Sequence, residues 1–161
     1  ALLLLSTLIF SQSKSEIIGW NKATWGMTED ELSKSFPEAV KLDEEVTYSD
    51  GIFVSIIIPI YKVGSETFKI SFQMKPNRTL TNVLMELNET TFDSTFDSIN
   101  NLLIEKYGES NNNQKSEYGK EIIWVYPKTK ITLERIVMKN IKLDKILIQY
   151  SQREGNESTK F

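Results

Sequence analysis

Three runs of alternating apolar and polar residues, at 52–63, 66–74 and 79–88, constrain the fold more than any other feature of this sequence. The run at 66–74 is the clearest, with apolar side chains on one side and polar ones on the other, as in a strand covered on one face. The breaks at 64–65 and 75–77 contain Gly, Pro and Asn, and such short turns favour antiparallel hairpins. The sequence therefore predicts a β-meander whose apolar face needs cover.

The run at 52–63 has two predicted faces. Alternation places Phe53, Ile57 and Tyr61 on the second of them, together with Ser55 and Pro59, while the first carries Ile52, Val54, Ile56, Ile58 and Ile60. Pro59 cannot donate to a β-ladder, so it predicts a bulge or an unpaired edge. Asp50-Gly51 predicts a two-residue hairpin that joins this run to a short strand at 46–49.

Two amphipathic helices are predicted to cover the meander. The short one begins at Thr28, which forms a capping box with Glu31, and Pro37 prevents its continuation beyond Phe36. The long one spans residues 91–107, with Thr91 as its cap, apolar residues at three- and four-residue spacing, and Gly108 as its end.

Further strand runs at 120–126, 129–138 and 143–150 follow a polar loop at 109–114. The order is then helix, strands, helix, strands, which is typical of an α+β fold. We expect two helix-then-β-meander repeats, at 14–90 and 91–150, forming an antiparallel sheet with the helices packed on one face. The polar tail at 151–161 is predicted to be disordered.

The composition excludes several classes of chemistry. The chain has no cysteine and no histidine, so disulfides, thiol chemistry, ordinary zinc sites and Ser-His-Asp triads cannot be built. A net charge of -3 without a basic run gives no case for nucleic acid. The acidic stretch at 43–45 does not have EF-hand spacing and is interpreted as a solvated turn rather than a weak calcium loop. We predict no catalytic residues, no metal and no cofactor.

The apolar stretch at 1–10 has the length of the core of a signal peptide and is too short to span a bilayer. Ser11 and Ser13 have the spacing of a cleavage site, which predicts a partial signal peptide at 1–13 in a chain that begins inside a precursor. The alternative is a buried N-terminal strand. The favoured interpretation is an exported protein, periplasmic or secreted, whose mature chain has no stable membrane span.

Three short motifs carry a family resemblance: W-G-M-T-E-D-E-L at 25–32, L-L-I-E-K-Y-G at 102–108, and I-I-W-V-Y-P-K-T-K-I-T-L at 122–133. The chain resembles a group of uncharacterised exported bacterial proteins whose helix-plus-sheet repeats are similar to the β-lactamase inhibitor protein fold and to small outer-membrane assembly lipoproteins. The resemblance implies tandem repeats, export and no known enzymatic activity. The chain lacks the inhibitor's cysteines and the lipoproteins' lipobox, and no functional residues carry over.

The leading functional hypothesis is a non-catalytic module that binds another envelope or secreted protein. Its predicted binding residues share the second sheet face: Phe53, Ile57, Tyr61, Lys69 and Gln73. Aromatic rings beside polar groups are typical of protein-recognition patches. The alternative is that a loop or the other repeat covers this face.

Two other functions remain open. The first is a carrier that holds a small apolar ligand between the sheet and the long helix. The second, less favoured, is a hydrolase built on carboxylates, but the candidates are scattered and are interpreted as surface charges: Glu66, Glu86, Glu105 and Glu134. Trp124 and Tyr126 could form a stacking platform for sugars, although core packing is the preferred interpretation of both.

Overall fold

The computed structural model describes residues 16–88 and 93–154 of the chain. The predicted signal peptide at 1–13, the predicted cap Thr91 and the tail from residue 155 onwards lie outside the described residues. The boundary predicted between the two repeats, at 90–91, also lies outside them.

Most of the described chain is β-strand, interrupted by two α-helices and one 3₁₀ turn. The elements in chain order are β1 (Gly19–Trp20), β2 (Ala23–Thr24), α1 (Glu29–Ser35), β3 (Val40–Thr47), β4 (Phe53–Val63), β5 (Glu66–Met74), β6 (Leu80–Leu87), α2 (Asp93–Tyr107), β7 (Asn112–Ser116), β8 (Gly119–Val125), β9 (Thr129–Met138), the 3₁₀ turn (Lys139–Ile141) and β10 (Leu143–Gln152).

Eight of these strands form one sheet in the order β3-β4-β5-β6-β10-β9-β8-β7, and every neighbouring pair is antiparallel. The four strands after α1 make up one half of the sheet, and the four after α2 make up the other. The halves meet where β6 pairs with β10. The prediction of an α+β protein with an antiparallel sheet is therefore confirmed.

Helix α1 begins as its sequence predicts. The Thr28 hydroxyl accepts a hydrogen bond from the backbone N–H of Glu31, and the Glu31 carboxylate accepts one from the backbone N–H of Thr28, at 3.4 and 2.8 Å. The helix ends at Ser35, before Pro37, and the Phe36 N–H still donates to the Leu32 carbonyl. The capping box and Pro37 thus determine where this seven-residue helix begins and ends, and its buried Leu32 packs it into the core.

One buried cluster contains side chains from both helices and from the sheet. Trp20, on the β1–β2 hairpin, lies inside it, with its ring 5.0 Å from Tyr61, 5.8 Å from Phe36 and 6.3 Å from Phe72. The hairpin is not predicted by the sequence because each of its strands has only two residues. Gly19 permits it, since a Cβ there would lie 1.9 Å from the Ala23 carbonyl oxygen.

Two irregularities in β4 overturn the predicted faces of this strand. The register with β5 shifts between Val54 and Ile56 and again between Ile58 and Tyr61. Each shift is a bulge that adds a residue and breaks the alternation. Phe53, Ile56 and Tyr61 consequently lie opposite core residues of β5, while Val54 and Ile57 lie on the other face. The bulge predicted at Pro59 is confirmed, and the one at Ser55 had no sequence signal.

Three predicted connections differ in the structure. The Asp50-Gly51 hairpin has a three-residue loop, because the Tyr48 N–H reaches Ile52 and Gly51 adopts a φ of +80° after the turn. The acidic stretch at 43–45 lies within β3 instead of a turn, and the polar loop predicted at 109–114 contains the start of β7. β3 and β7 are the two edge strands of the sheet, and they have too few apolar residues for periodicity to predict them.

Glu29 ties the first turn of α1 to the sheet. Its carboxylate lies 2.8 Å from the Lys41 ammonium, accepts a 2.6 Å hydrogen bond from the Ser55 hydroxyl, and lies 3.5 Å from the Arg78 guanidinium. The hydrogen bond from Lys41, and then that from Ser55, lower the pKa of Glu29 below its usual value. The ionised form is therefore favoured in the folded state.

We predict that Glu29→Gln reduces stability at neutral pH and that the difference from wild type closes in acid. Because the folded-state pKa is lowered, the stabilisation is fully present above the unfolded-state pKa and is lost as the pH falls through the folded-state value. Urea unfolding at a series of pH values below about 5 would measure this. Glu44→Gln, at an exposed carboxylate, is the control and should follow wild type. A gap that stays constant in acid would contradict the assignment.

Candidate binding surface

The structure separates the five predicted binding residues. Phe53 is buried in the core, and Tyr61 packs against the Trp20 ring and accepts a hydrogen bond from Asn21, so neither belongs to the second face. Ile57, Lys69 and Gln73 do share that face. The prediction that all five are neighbours is therefore wrong, because the two bulges of β4 turn the aromatic residues inward.

The second face is defined by three rows of directly opposed residues that cross the sheet, since opposed residues point to the same side. The central row crosses all eight strands, from Val40 through Ile57, Ser71, Leu84, Gln149, Thr132 and Ile123 to Asn112. The upper row contains Val46, Val54, Gln73, Asn82, Ser151, Lys130 and Val125. The lower row contains Lys69, Glu86, Leu147, Glu134, Glu121 and Gln114.

These rows mix aliphatic, polar and charged side chains and contain no aromatic ring. Their outer aliphatic members are exposed: Val40 by 49%, Val46 by 50% and Val125 by 40%. Closer to the middle, Ile57, Leu84 and Ile123 are half-buried. The surface is thus an amphipathic sheet face, and it lacks the aromatic anchors that the sequence predicted for it.

Opposite charges are arranged across the middle strands of the lower row. The Glu86 carboxylate lies 2.5 Å from the Lys145 ammonium and 3.9 Å from that of Lys69. In the upper row the Asn82 amide donates to the Gln73 carbonyl oxygen at 3.1 Å. These contacts link side chains of β5, β6 and β10 across the sheet.

Two carboxylates of like charge lie opposite each other on the same face. Glu121 on β8 is paired in register with Glu134 on β9, and neither forms an ion pair with any residue in the described ranges. Burial, and then the neighbouring Glu121, raise the pKa of Glu134. Like charges at opposed positions destabilise a sheet, so this pair costs the isolated chain some stability.

The other candidate residues do not assemble a catalytic site. Trp124 and Tyr126 are buried, with the indole N–H bonded to the Gly108 carbonyl and the Tyr126 hydroxyl to the Tyr107 carbonyl, each at 2.8 Å. This is the core packing that the sequence favoured over a sugar platform. Glu86 and Glu134 lie two strands apart, Glu66 lies at the start of β5, and Glu105 is exposed on α2.

A surface cavity of about 350 Å³ lies beside the end of α2 and is lined by Glu16, Glu109, Asn111 and residues 124–127. None of the four carboxylates considered for a hydrolase, Glu66, Glu86, Glu105 and Glu134, lines this cavity. In residues 16–88 and 93–154, no three acidic side chains come together as possible metal ligands. No helix within the described part of the chain is both long enough and apolar enough to cross a membrane.

The comparisons with known proteins give one structural likeness. No protein family matches the sequence, and none of the curated proteins does. The chain is similar to the crystal structure of YjgB, a DUF4309 family protein from Bacillus subtilis subsp. subtilis str. 168, with a TM-score of 0.40 and 9% identity over 78% of each chain.

We predict that Glu86→Gln destabilises the protein by about 0.5–1 kcal/mol at low salt, because it leaves Lys69 and Lys145 without their shared counter-charge. The loss should shrink in 1 M salt, where the Debye length falls to about 3 Å. Urea unfolding of dilute protein would measure both. Glu121→Gln is the matched variant on the same row and should cause no loss, since it removes a like-charge contact. Equal losses of stability in the two variants would show that the charge of Glu86 does not stabilise the sheet.

Proposed function

We propose that the protein is a non-catalytic binding module and that the second face of its sheet is the surface that contacts a partner protein. The observation that carries this proposal is the composition of that face. It combines exposed valines with half-buried aliphatic and amide side chains over eight strands, and protein interfaces are likewise mixed in polarity.

We further infer that both helices lie over the opposite face, which leaves the second face uncovered. The support comes from their side-chain contacts with core-face residues. For α1, Phe36 lies 5.3 Å from the Phe72 ring. For α2, the Tyr107 hydroxyl lies 3.1 Å from that of Tyr150, and Lys120 lies 5.5 Å from the Phe96 ring. Residues of the three second-face rows take no part in these contacts.

The two-repeat organisation remains part of the same proposal. Each helix is followed by four antiparallel strands, and the sheet order runs outward from β6 in one half and from β10 in the other. In the central row, Ile57 of β4 corresponds to Ile123 of β8, and Ser71 of β5 to Thr132 of β9. Duplication of one helix-plus-meander unit would give this arrangement, as in the exported proteins that the sequence resembles.

The apolar stretch at 1–10, which has the length of a signal-peptide core, supports export and therefore a partner in the envelope or outside the cell. The other two functions have less support. Phe96, Ile99 and Leu103 of α2 belong to the buried cluster that would have to open for an apolar ligand. The four scattered carboxylates offer no pair for a hydrolase.

A photo-crosslinking amino acid at position 57 should test the proposal in cells that make the protein naturally. Ile57 is at the centre of the second face, so we expect a protein adduct after irradiation. The control is the same amino acid at Leu102, which is 40% exposed on α2 and should give no adduct.

An adduct from position 102 alone, or none from position 57, would contradict the second face as the working surface. Circular dichroism of each purified variant would show that the substitution leaves the fold intact. Mass spectrometry of an adduct from position 57 would identify the protein attached to it.

A further inference from the structure

We propose that one end of the sheet docks on an anionic lipid bilayer. Two turns form this end, one between β7 and β8 at 117–118 and one between β9 and β10 at 139–142. Together with the flanking Lys115 and Met138, we call them the lysine tip. The lysine tip shares no residue with the three rows of the second face, so this docking is a function in addition to the binding of a partner protein.

The two turns lie side by side and are bonded to each other. Gly119 is paired with Ile136, and the Val137 N–H donates a 2.7 Å hydrogen bond to the Tyr118 carbonyl. A Cβ at position 119 would lie 1.7 Å from the Arg135 carbonyl oxygen, so only glycine lets the β7–β8 turn approach β9 this closely. The lysine tip is therefore one continuous surface.

Apolar side chains are exposed on both turns of the lysine tip. Ile141 is 63% exposed on the 3₁₀ turn, Tyr118 is 60% exposed on the β7–β8 turn, and Met138 is 36% exposed between them. Aliphatic side chains of this kind lose their contact with water when they enter the boundary between headgroups and acyl chains. Tyrosine is enriched at that depth because its ring is apolar and its hydroxyl is polar.

The charge of the lysine tip is opposite in sign to that of the whole chain. Lys115, Lys139 and Lys142 are exposed, and no carboxylate of the described residues lies at ion-pair distance from any of them. The tip has one acidic residue, Glu117, whereas the whole chain has a net charge of -3. Lysines close to an anionic membrane surface are attracted to it, so the tip is the end that such a surface would select.

Neighbouring carboxylates do not neutralise these lysines, because they are already bound elsewhere. Asp93 and Asp144 both form ion pairs with Arg135, the second at 2.8 Å. Asp93 is also 3.7 Å from the Lys120 ammonium. The acidic groups closest to the lysine tip are thus balanced within the chain, and the positive charge of the three lysines remains available to a ligand.

An acidic protein is the alternative occupant, and the arrangement of the side chains favours a membrane over it. In protein interfaces the apolar anchors cluster at the centre of a packed patch. In the lysine tip they alternate with lysines along the turns, in the order Met138, Lys139, Asn140, Ile141, Lys142. A bilayer accepts this alternation, since apolar groups enter it while the ammonium groups stay among the headgroup phosphates. Docked in this way, the strands stand away from the membrane and the second face stays open.

A single cysteine at position 141, labelled with a nitrobenzoxadiazole dye, tests the proposal on the full chain, which has no other cysteine. With vesicles of phosphatidylcholine and about 30% phosphatidylglycerol, the emission should brighten and shift to shorter wavelength. Vesicles of phosphatidylcholine alone should leave it unchanged, and about 0.5 M salt should reverse the shift. The position control is a dye at Val46→Cys, which is 50% exposed on β3 and should not respond.

A matched pair of charge reversals tests the lysines. Lys139→Glu, directly after β9, should weaken vesicle binding of the position-141 variant at least about fivefold. Lys130→Glu makes the same change at an exposed lysine near the other end of β9 and should bind like the parent. The apolar stretch at 1–10 is the same in all these chains, so binding through it would not depend on position 139. Circular dichroism would show that each variant is folded.

Four results would overturn the proposal: no response at position 141, an equal response at position 46, an equal response to uncharged vesicles, or a response that Lys139→Glu leaves unchanged. A response at position 141 to polyglutamate, with none to vesicles, would identify an acidic protein as the partner instead. The adduct expected from position 57 does not depend on these results, so a failure of membrane docking leaves the second face as the protein-binding surface.

Discussion

The pairing of β6 with β10 is the interaction on which the rest of the structure depends. It joins residues more than sixty positions apart, in five consecutive residue pairs from Leu147–Glu86 to Ser151–Asn82. It turns two four-stranded units into one sheet, and it removes an exposed edge from each. A slip of one residue here would move Ile148 and Tyr150 out of the core and turn Leu147 and Gln149 into it in their place.

Local chemistry made much of this fold predictable. The Thr28–Glu31 capping box, the strand at Glu66–Met74 and the strand at Thr129–Met138 follow from residue type and spacing, and the structure has them as predicted. The end of α2 at Tyr107 agrees with the predicted stop at Gly108, whose φ is +81°. Each of these signals acts over a few residues, and the tertiary contacts of this fold agree with it.

The features that the sequence did not reveal depend on distant contacts. The bulge at Ser55 coincides with a hydrogen bond from Ser55 to Glu29, and nothing in the local pattern of β4 predicts this bulge. The β1–β2 hairpin is too short for periodicity and is held by Trp20 in the core. The bulges of β4 also explain why the structure places only three of the five predicted binding residues on the second face. Lys69 and Gln73 lie on a regular strand and were placed correctly beside Ile57, whereas Phe53 and Tyr61 flank the bulges and face inward.

A disulfide formed between Leu84→Cys and Gln149→Cys tests the central pairing most directly, because the chain has no other cysteine. These residues are directly opposed on β6 and β10, and opposed Cα atoms about 4.5–5.5 Å apart are within disulfide range. Under mild oxidation of dilute protein, mass spectrometry should show an intramolecular disulfide. Leu84→Cys with Thr132→Cys spans two strand spacings, about 10 Å, and should stay reduced. A disulfide in the second variant and none in the first would contradict the strand order at the centre of the sheet.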